Sequence, residues 1–370
     1  MAKMTDSSSH RWSDYVFTSE SEETVALIVE ASASATGRTL LICGGGFDPR
    51  TLHAPTAVAG IDLENLVVLA LKPNALGSHA DATESASHNL QSLREMFPDN
   101  LNVIESPQVA EPNSAGATLT RQLVADHELL LYETVLVDIS GMPSSISFPI
   151  IHLLLSDDEG GDGAKFAGNL LVLVSEDAET DRRIVRSEIG RASVLNAMTR
   201  LPTARQTVIW IPILGEGAGE ELSRIRVMLD PEEVCPVVPF PATRARRADD
   251  LIVEHGDLLF EVLRFEPRNV LHASELNPFD VYRQMVSLAR RYRTALSPLG
   301  APTIATSEHG SKLMSLGVLL AAHEEHLVVA QVDTTSYDFA SPDAASDRVP
   351  VLYGAWLTGL PYDVGTPEDG

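Results

Sequence analysis

The 370-residue sequence predicts an α/β fold made of two Rossmann-like units with mainly parallel sheets, the second an internal duplicate of the first. Short apolar runs rich in β-branched residues alternate with helix-forming stretches along the whole chain, the pattern of strands joined by helical crossovers. Each half carries two glycine-bearing turns that follow strands. The interval from Cys43 to Ser140 nearly equals that from Leu214 to His309. Two units side by side, with their strand ends facing a shared cleft, would produce that spacing.

Strands are expected over 39–43, 66–71, 102–104, 134–138 and 169–174 in the first half, and over 208–212, 233–238, 269–272, 302–305 and 327–332 in the second. Val, Ile, Leu and Thr dominate these runs, and such side chains suit a pleated, buried surface. The acidic, Gly-rich segment 157–163 reads as a surface loop. The stretch carrying Arg182, Arg183, Arg186 and Arg191 reads as helical, with a unit boundary between 188 and 206. Arg244, Arg246 and Arg247 follow Pro239 and Pro241 and so ride a loop, either solvated or forming a rim for anions. His323-Glu324-Glu325-His326 lacks the spacing of a zinc-protease helix and is expected to end a helix before the strand at 327. The resulting division is a disordered N-terminus over 1–14, a first unit over 15–200, a second over 206–340 and a C-terminal extension over 341–370, whose acidic end is frayed.

Hydrophobic residues make up 44% of the chain and aromatics 5%, enough for a sizeable core. Against 52 acidic residues stand 27 basic ones, only four of them lysine, leaving a net charge of −25. A field of that sign repels DNA, RNA and anionic membranes, while a small anion in a local positive pocket stays compatible with it. Cys43 and Cys235 each lie in an apolar run and read as reduced core thiols, with no disulfide framework and no Cys-based zinc site. The polar, Ser-rich start has no apolar leader, and no run reaches the roughly 18–20 residues a bilayer span needs, so a cytoplasmic protein is expected. Neither a metal nor a cofactor is expected.

Four segments carry candidate chemistry. Gly44-Gly45-Gly46-Phe47-Asp48-Pro49-Arg50 directly follows a strand, and its glycines permit positive φ and close backbone approach to a ligand. Asp48 would hold ribose hydroxyls and Arg50 a phosphate, unless the two form a surface pair across a tight turn. In Asp138-Ile139-Ser140-Gly141-Met142-Pro143 a strand end delivers a carboxylate and a hydroxyl just before a helix, as ligand contacts or as helix caps. Gly215-Glu216-Gly217-Ala218-Gly219 approaches the dinucleotide fingerprint, but Glu220 stands where the last Gly or Ala belongs and no acid ends the next strand, which disfavours NAD. Glu216 there is a candidate base or acceptor, and Gly217 a candidate contact.

The fourth segment runs through Ser307, Glu308, His309, Gly310 and Ser311 to Lys312. A Ser/Gly turn followed by a helix directs backbone N–H groups and a cation to one spot, which suits an anion. A lysine at a helix N-terminus opposes the macrodipole by roughly 0.3–1 kcal/mol unless something negative binds there. Histidine side chains in general suit proton transfer near neutrality, which makes His309 a candidate for acid/base work, or else a hydrogen-bonding turn residue.

The stretch His309-Gly310-Ser311-Lys312-Leu313-Met314-Ser315-Leu316 resembles the strand-to-helix turn of CARF domains, the Rossmann-like sensors of cyclic oligoadenylates in prokaryotic defence. His309 stands where that family has its first glycine, and no nuclease or winged-helix appendage is evident. The resemblance implies phosphate contacts from Gly310, Ser311 and Lys312, a second phosphate or ribose site at 44–50, and two halves pairing within one chain. Two functions are therefore carried forward. The first is a cytosolic nucleotide sensor in antiviral defence, holding a phosphorylated ligand between its halves and acting with a protein effector, self-association left open. The second is a nucleotide-processing hydrolase or glycosyl/phosphoribosyl-type transferase using Asp138, Glu216 or His309 as acid or base.

Overall fold

A computed structural model describes residues 10–33, 37–72, 80–105, 115–156, 166–177, 184–199, 201, 206–339 and 350–362. The chain divides into two units, the first made of Val16–Met198 with Ala330–Gly370 and the second of Met1–Tyr15 with Thr199–Val329.

The first unit runs β1 (Val16–Thr18), α1 (Ser21–Ala31), β2 (Thr39–Gly44), α2 (His53–Ala59), β3 (Leu66–Lys72), α3 (Ala80–Met96), β4 (Leu101–Glu105), α4 (Ala115–His127), β5 (Thr134–Asp138), α5 (Ser144–Leu155), β6 (Asn169–Glu176) and β7 (Ile184–Val194). With β14 (Val351–Thr358), β1 to β6 build a seven-stranded sheet in the order β1-β14-β6-β5-β2-β3-β4. β2 to β6 are parallel, and counted along the chain they lie in the order 3-2-1-4-5. Parallel strands covered on both faces need apolar side chains at every position. β2 accordingly buries all six residues, and Leu41, Cys43, Val68, Leu136 and Leu171 join Leu27 and Ile28 of α1 and Leu90 and Leu93 of α3 in one core. Each such side chain contributes roughly 1.5–3 kcal/mol when fully buried.

The second unit runs β8 (Val208–Pro212), α6 (Gly219–Leu229), β9 (Glu233–Val234), β10 (Val237–Pro239), α7 (Arg247–Glu254), β11 (Leu271–Ala273), α8 (Pro278–Leu296), β12 (Thr303–Ser307), α9 (Lys312–Glu325) and the start of β13 (Val328–Phe339). β8 pairs in parallel with β12 and β9, and β12 pairs in parallel with β13 through Val328 and Val329. The expected strand over 233–238 is split at Cys235-Pro236, because proline has no N–H to give to a ladder. Its second half, β10, meets Ile213 and pairs with β11. From β11 through β10 and β9, β8 and β12 to β13, the order is again 3-2-1-4-5. The likeness between the units is one of topology.

Three expectations are corrected. The stretch around Arg186 and Arg191 is not a helix but β7, antiparallel to β13 from Val194↔Ala330 to Ile184↔Phe339. The C-terminal region is not an extension: β14 pairs antiparallel with both β6 and β1, and Trp356 is buried in the first unit's core. Leu352 to Leu357 are buried, with α1 packed against the strand. Residues 10–14 of the supposedly disordered N-terminus are ordered. Trp12 is fully buried edge-on to Tyr282 at 5.4 Å, and Arg11 N donates to Glu324 at 3.1 Å. Within the helix-ending run, Glu324 and Glu325 accept from Arg290 at 2.6 Å, and Glu325 also pairs with Arg293. The expectations for 1–9, 157–163, Arg182, Arg183 and 366–370 lie outside the described residues.

Both cysteines are buried free thiols, and among the described residues no helix is long and apolar enough to cross a membrane. Truncating a fully buried aromatic side chain costs about 3–5 kcal/mol. Trp12→Ala is therefore expected to lower the unfolding midpoint markedly in a denaturant titration, and an unchanged midpoint would show that the N-terminal segment is not docked.

Candidate functional site

In an open parallel sheet, helices leave on opposite faces where the strand order reverses, and the strand C-terminal ends there frame a crevice. That reversal lies between β2 and β5 in the first unit and between β8 and β12 in the second. All four sequence-selected turns begin at the C-terminal ends of these four strands.

In the first unit the turn after β2 closes against the turn after β5. A Cβ on Gly44 would lie 2.9 Å from the Gly141 carbonyl, and one on Gly141 would lie 1.9 Å from Thr51 Oγ1. Close approach, not positive φ, therefore accounts for glycine here; the left-handed backbone occurs instead at Gly217, φ 72°. Gly45 N donates to Leu71 O at 2.8 Å, and Asn89 Nδ2 ties the carbonyls of Gly46 and Asp48 to α3 at 2.8 and 3.1 Å. Asp48 and Arg50 are no surface pair. Arg50, 4% exposed, donates through N, Nε and Nη2 to the Asp48 carboxylate at 2.9, 3.1 and 2.7 Å.

Asp138, at the end of β5, is fully buried. Its Oδ1 accepts from Ser140 N at 3.0 Å and from the Ser140 hydroxyl, whose oxygen in turn accepts from Ser175 N at 2.8 Å. Its Oδ2 has no hydrogen-bond partner. Burial pushes the carboxyl up to about 7, the Ser140 bonds pull it down, Asp48 adds to the rise and Arg50 opposes it. His53 Nδ1 lies 2.7 Å from Ser175 Oγ, and burial lowers its pKa, favouring neutral imidazole.

The second unit repeats the close approach. A Cβ on Gly215 would lie 1.5 Å from the His309 carbonyl. His255 Nε2 donates to Gly215 O at 2.8 Å, and Glu254 accepts from Gly217 N at 2.7 Å, so α7 holds this turn. His309 bridges Glu221 through Nδ1 at 2.9 Å and Ser307 through Nε2 at 3.1 Å, and Trp210 Nε1 donates to Ser307 Oγ at 3.1 Å. With Glu221 ionised, the imidazole proton sits on Nδ1 and the Ser307 hydroxyl donates to Nε2. The order is that of a hydrolase triad, but Ser307 is fully buried and presents no hydroxyl at the surface. Ser311 caps α9, accepting from Met314 N at 3.3 Å, and Lys312 opens the helix beside Gly310. Glu308 accepts from Ser315 Oγ at 2.7 Å. Two of the three arginines after Pro241 are tied to acids: Arg244 pairs with Glu216, and Arg247, at the start of α7, meets the buried Glu275 at 2.9 Å.

The candidates thus form two clusters, one per unit. Gly44, Gly45, Gly46, Asp48, Arg50, Asp138, Ser140 and Gly141 gather at the first reversal, and Glu216, Gly217, Ser307, His309, Gly310, Ser311 and Lys312 at the second. Thr51, His53, Asn89 and Ser175 in the first cluster, and Trp210, Glu221, His255 and Glu275 in the second, were not singled out from sequence. Glu221, in the first turn of α6, carried a faint signal as an acid opening a helix.

Asp138 yields a test. Its pKa of about 7 in the fold exceeds the ordinary 3.8, so the folded chain holds the proton more tightly than the unfolded one. Its stabilising contribution is complete below about pH 4 and is lost as pH rises through about 7. Thermal melts of wild type and Asp138→Asn across this window are expected to converge toward acid and to diverge toward pH 8, with the variant the more stable there. Parallel curves at all pH values would contradict the assignment. No family model matches the chain, and no curated protein matches it.

Proposed function

We propose that this chain is a cytosolic, sensor-type nucleotide-binding protein, built from two internally duplicated units and serving prokaryotic defence signalling with a protein effector. One observation carries the reading: the glycine-bearing turns selected from sequence all sit at the order reversals of two sheets with the same strand order, the place where open α/β sheets take ligands. The Lys312 turn is the phosphate-binding candidate. There a cation opens α9 next to its Ser311 cap, and a helix N-terminus adds positive potential. The net charge of −25 favours a small phosphorylated ligand over a nucleic-acid polymer.

A second reading, a nucleotide-processing enzyme with Asp138, Glu216 or His309 as acid or base, draws on the Glu221–His309–Ser307 chain. Calorimetric titration with a panel of mononucleotides and cyclic oligoadenylates separates the two. The sensor reading expects binding without turnover, weakened about tenfold or more by Lys312→Ala, equivalent to about 1.4 kcal/mol. Unchanged affinity in that variant would remove Lys312 from the site, and release of product would favour the enzyme.

A further inference from the structure

We propose that the exposed ring of Phe240 is a stacking platform for the base of a nucleotide bound at the second order reversal, across that reversal from Lys312. The platform rests on the nucleotide reading above and adds to it the half of the ligand that carries no charge.

A single exposed apolar side chain is ordinary on a folded surface, so what matters is where Phe240 stands. In dinucleotide-binding sheets of this strand order, an acid at the end of the second strand holds the ribose hydroxyls, which brings the nucleoside over that strand. Here the second strand ends at Pro239 of β10, and the residue that follows is Phe240, 64% exposed. An aromatic ring thus stands where a carboxylate would otherwise hold the sugar. Base stacking on such a ring needs no charge and no enclosed cavity.

The ring is held in place from several sides. Phe240 N donates to Ala273 O at 2.7 Å, and the ring meets that of His272 at 6.0 Å and 86°. Pro241 O accepts from Glu275 N at 3.0 Å, while Glu275 O accepts from Ser311 Oγ at 3.3 Å, next to Lys312. Through Glu275, then, the loop that carries Phe240 and the start of α9 are tied to one residue. Arg244, further along that loop, pairs with Glu216 in the turn after β8. A ring ordered before binding loses little freedom when a base stacks on it. The spacing also fits: β10 lies beside β8 through Val237 and Ile213, and β8 beside β12. Two strand spacings, about 10 Å, separate the strand end before Phe240 from the one that leads to Lys312, a gap that a nucleotide spans from base to phosphate.

The test is calorimetry of the full chain with AMP and with ribose 5-phosphate, which differs from AMP only in lacking the base; circular dichroism checks folding. AMP is expected to bind wild type about tenfold or more tightly than ribose 5-phosphate, the usual worth of one base on one aromatic ring. Phe240→Ala is expected to remove that difference and to leave ribose 5-phosphate affinity unchanged, whereas Phe240→Trp keeps the difference. Equal affinities of the two compounds for wild type, or undiminished AMP binding in a folded Phe240→Ala variant, would overturn the platform. If AMP binding depends on Lys312 but not on Phe240, the platform falls and the nucleotide reading stands. If it depends on Phe240 but not on Lys312, the platform stands and the phosphate role of Lys312 falls. If neither compound binds, both fall together.

Discussion

At the order reversal of each sheet, backbone passes so close to backbone that only glycine fits. Gly44 sits under the Gly141 carbonyl and Gly215 under the His309 carbonyl. Both contacts are with main chain, so no rotamer change relieves them, and a side chain would drive the two turns apart. Because the turns are pressed together, the residues that follow them arrive at fixed places: Asp48 and Arg50 beside Asp138 in one unit, Glu221 against His309 in the other. Any ligand chemistry at either crevice is positioned by these two approaches.

Around them lie buried charges whose net contribution to stability is small, since the desolvation of an ion pair offsets most of its attraction. Asp48 with Arg50 and Glu275 with Arg247 are of this kind. Their evident effect is geometric. Asp48 caps the 3-10 turn Pro49–Leu52 that carries Thr51, and Glu275 accepts from both N and Oγ1 of Thr243 at 2.7 and 2.8 Å, fixing the segment before α7. Asp138 differs from these, because its second oxygen lacks a partner and its proton is held by burial. A carboxyl kept in that state is expensive unless binding or proton transfer makes use of it.

The strands that frame the crevices were legible because a parallel strand covered on both faces is a continuous apolar run: β2, β5, β8 and β12 are each buried almost throughout. β7 was not, since Arg182 and Arg183 stand four and three residues before Arg186, spacings that also suit a helix, and the partner strand β13 is more than a hundred residues away. β14 was not read as a strand either, because nothing local says that 351–358 returns to the first sheet to pair with β6. The site divides in the same way. Turn glycines and the residues next to them announce themselves, whereas Glu221, 88 residues from His309, and Ser175, 122 residues from His53, become neighbours only through the sheet order. Trp12 sat in a polar, Ser-rich segment whose composition masked a single deeply buried anchor.

The central claim is that ligand binding takes place at the order reversals. Backbone amide shifts of isotopically labelled protein, followed by NMR while ATP is added, read this directly. The account predicts saturable changes concentrated in the turns over 44–51, 139–142, 214–218 or 308–313. Changes confined to the opposite, N-terminal ends of the strands, or no saturable change at all, would contradict it.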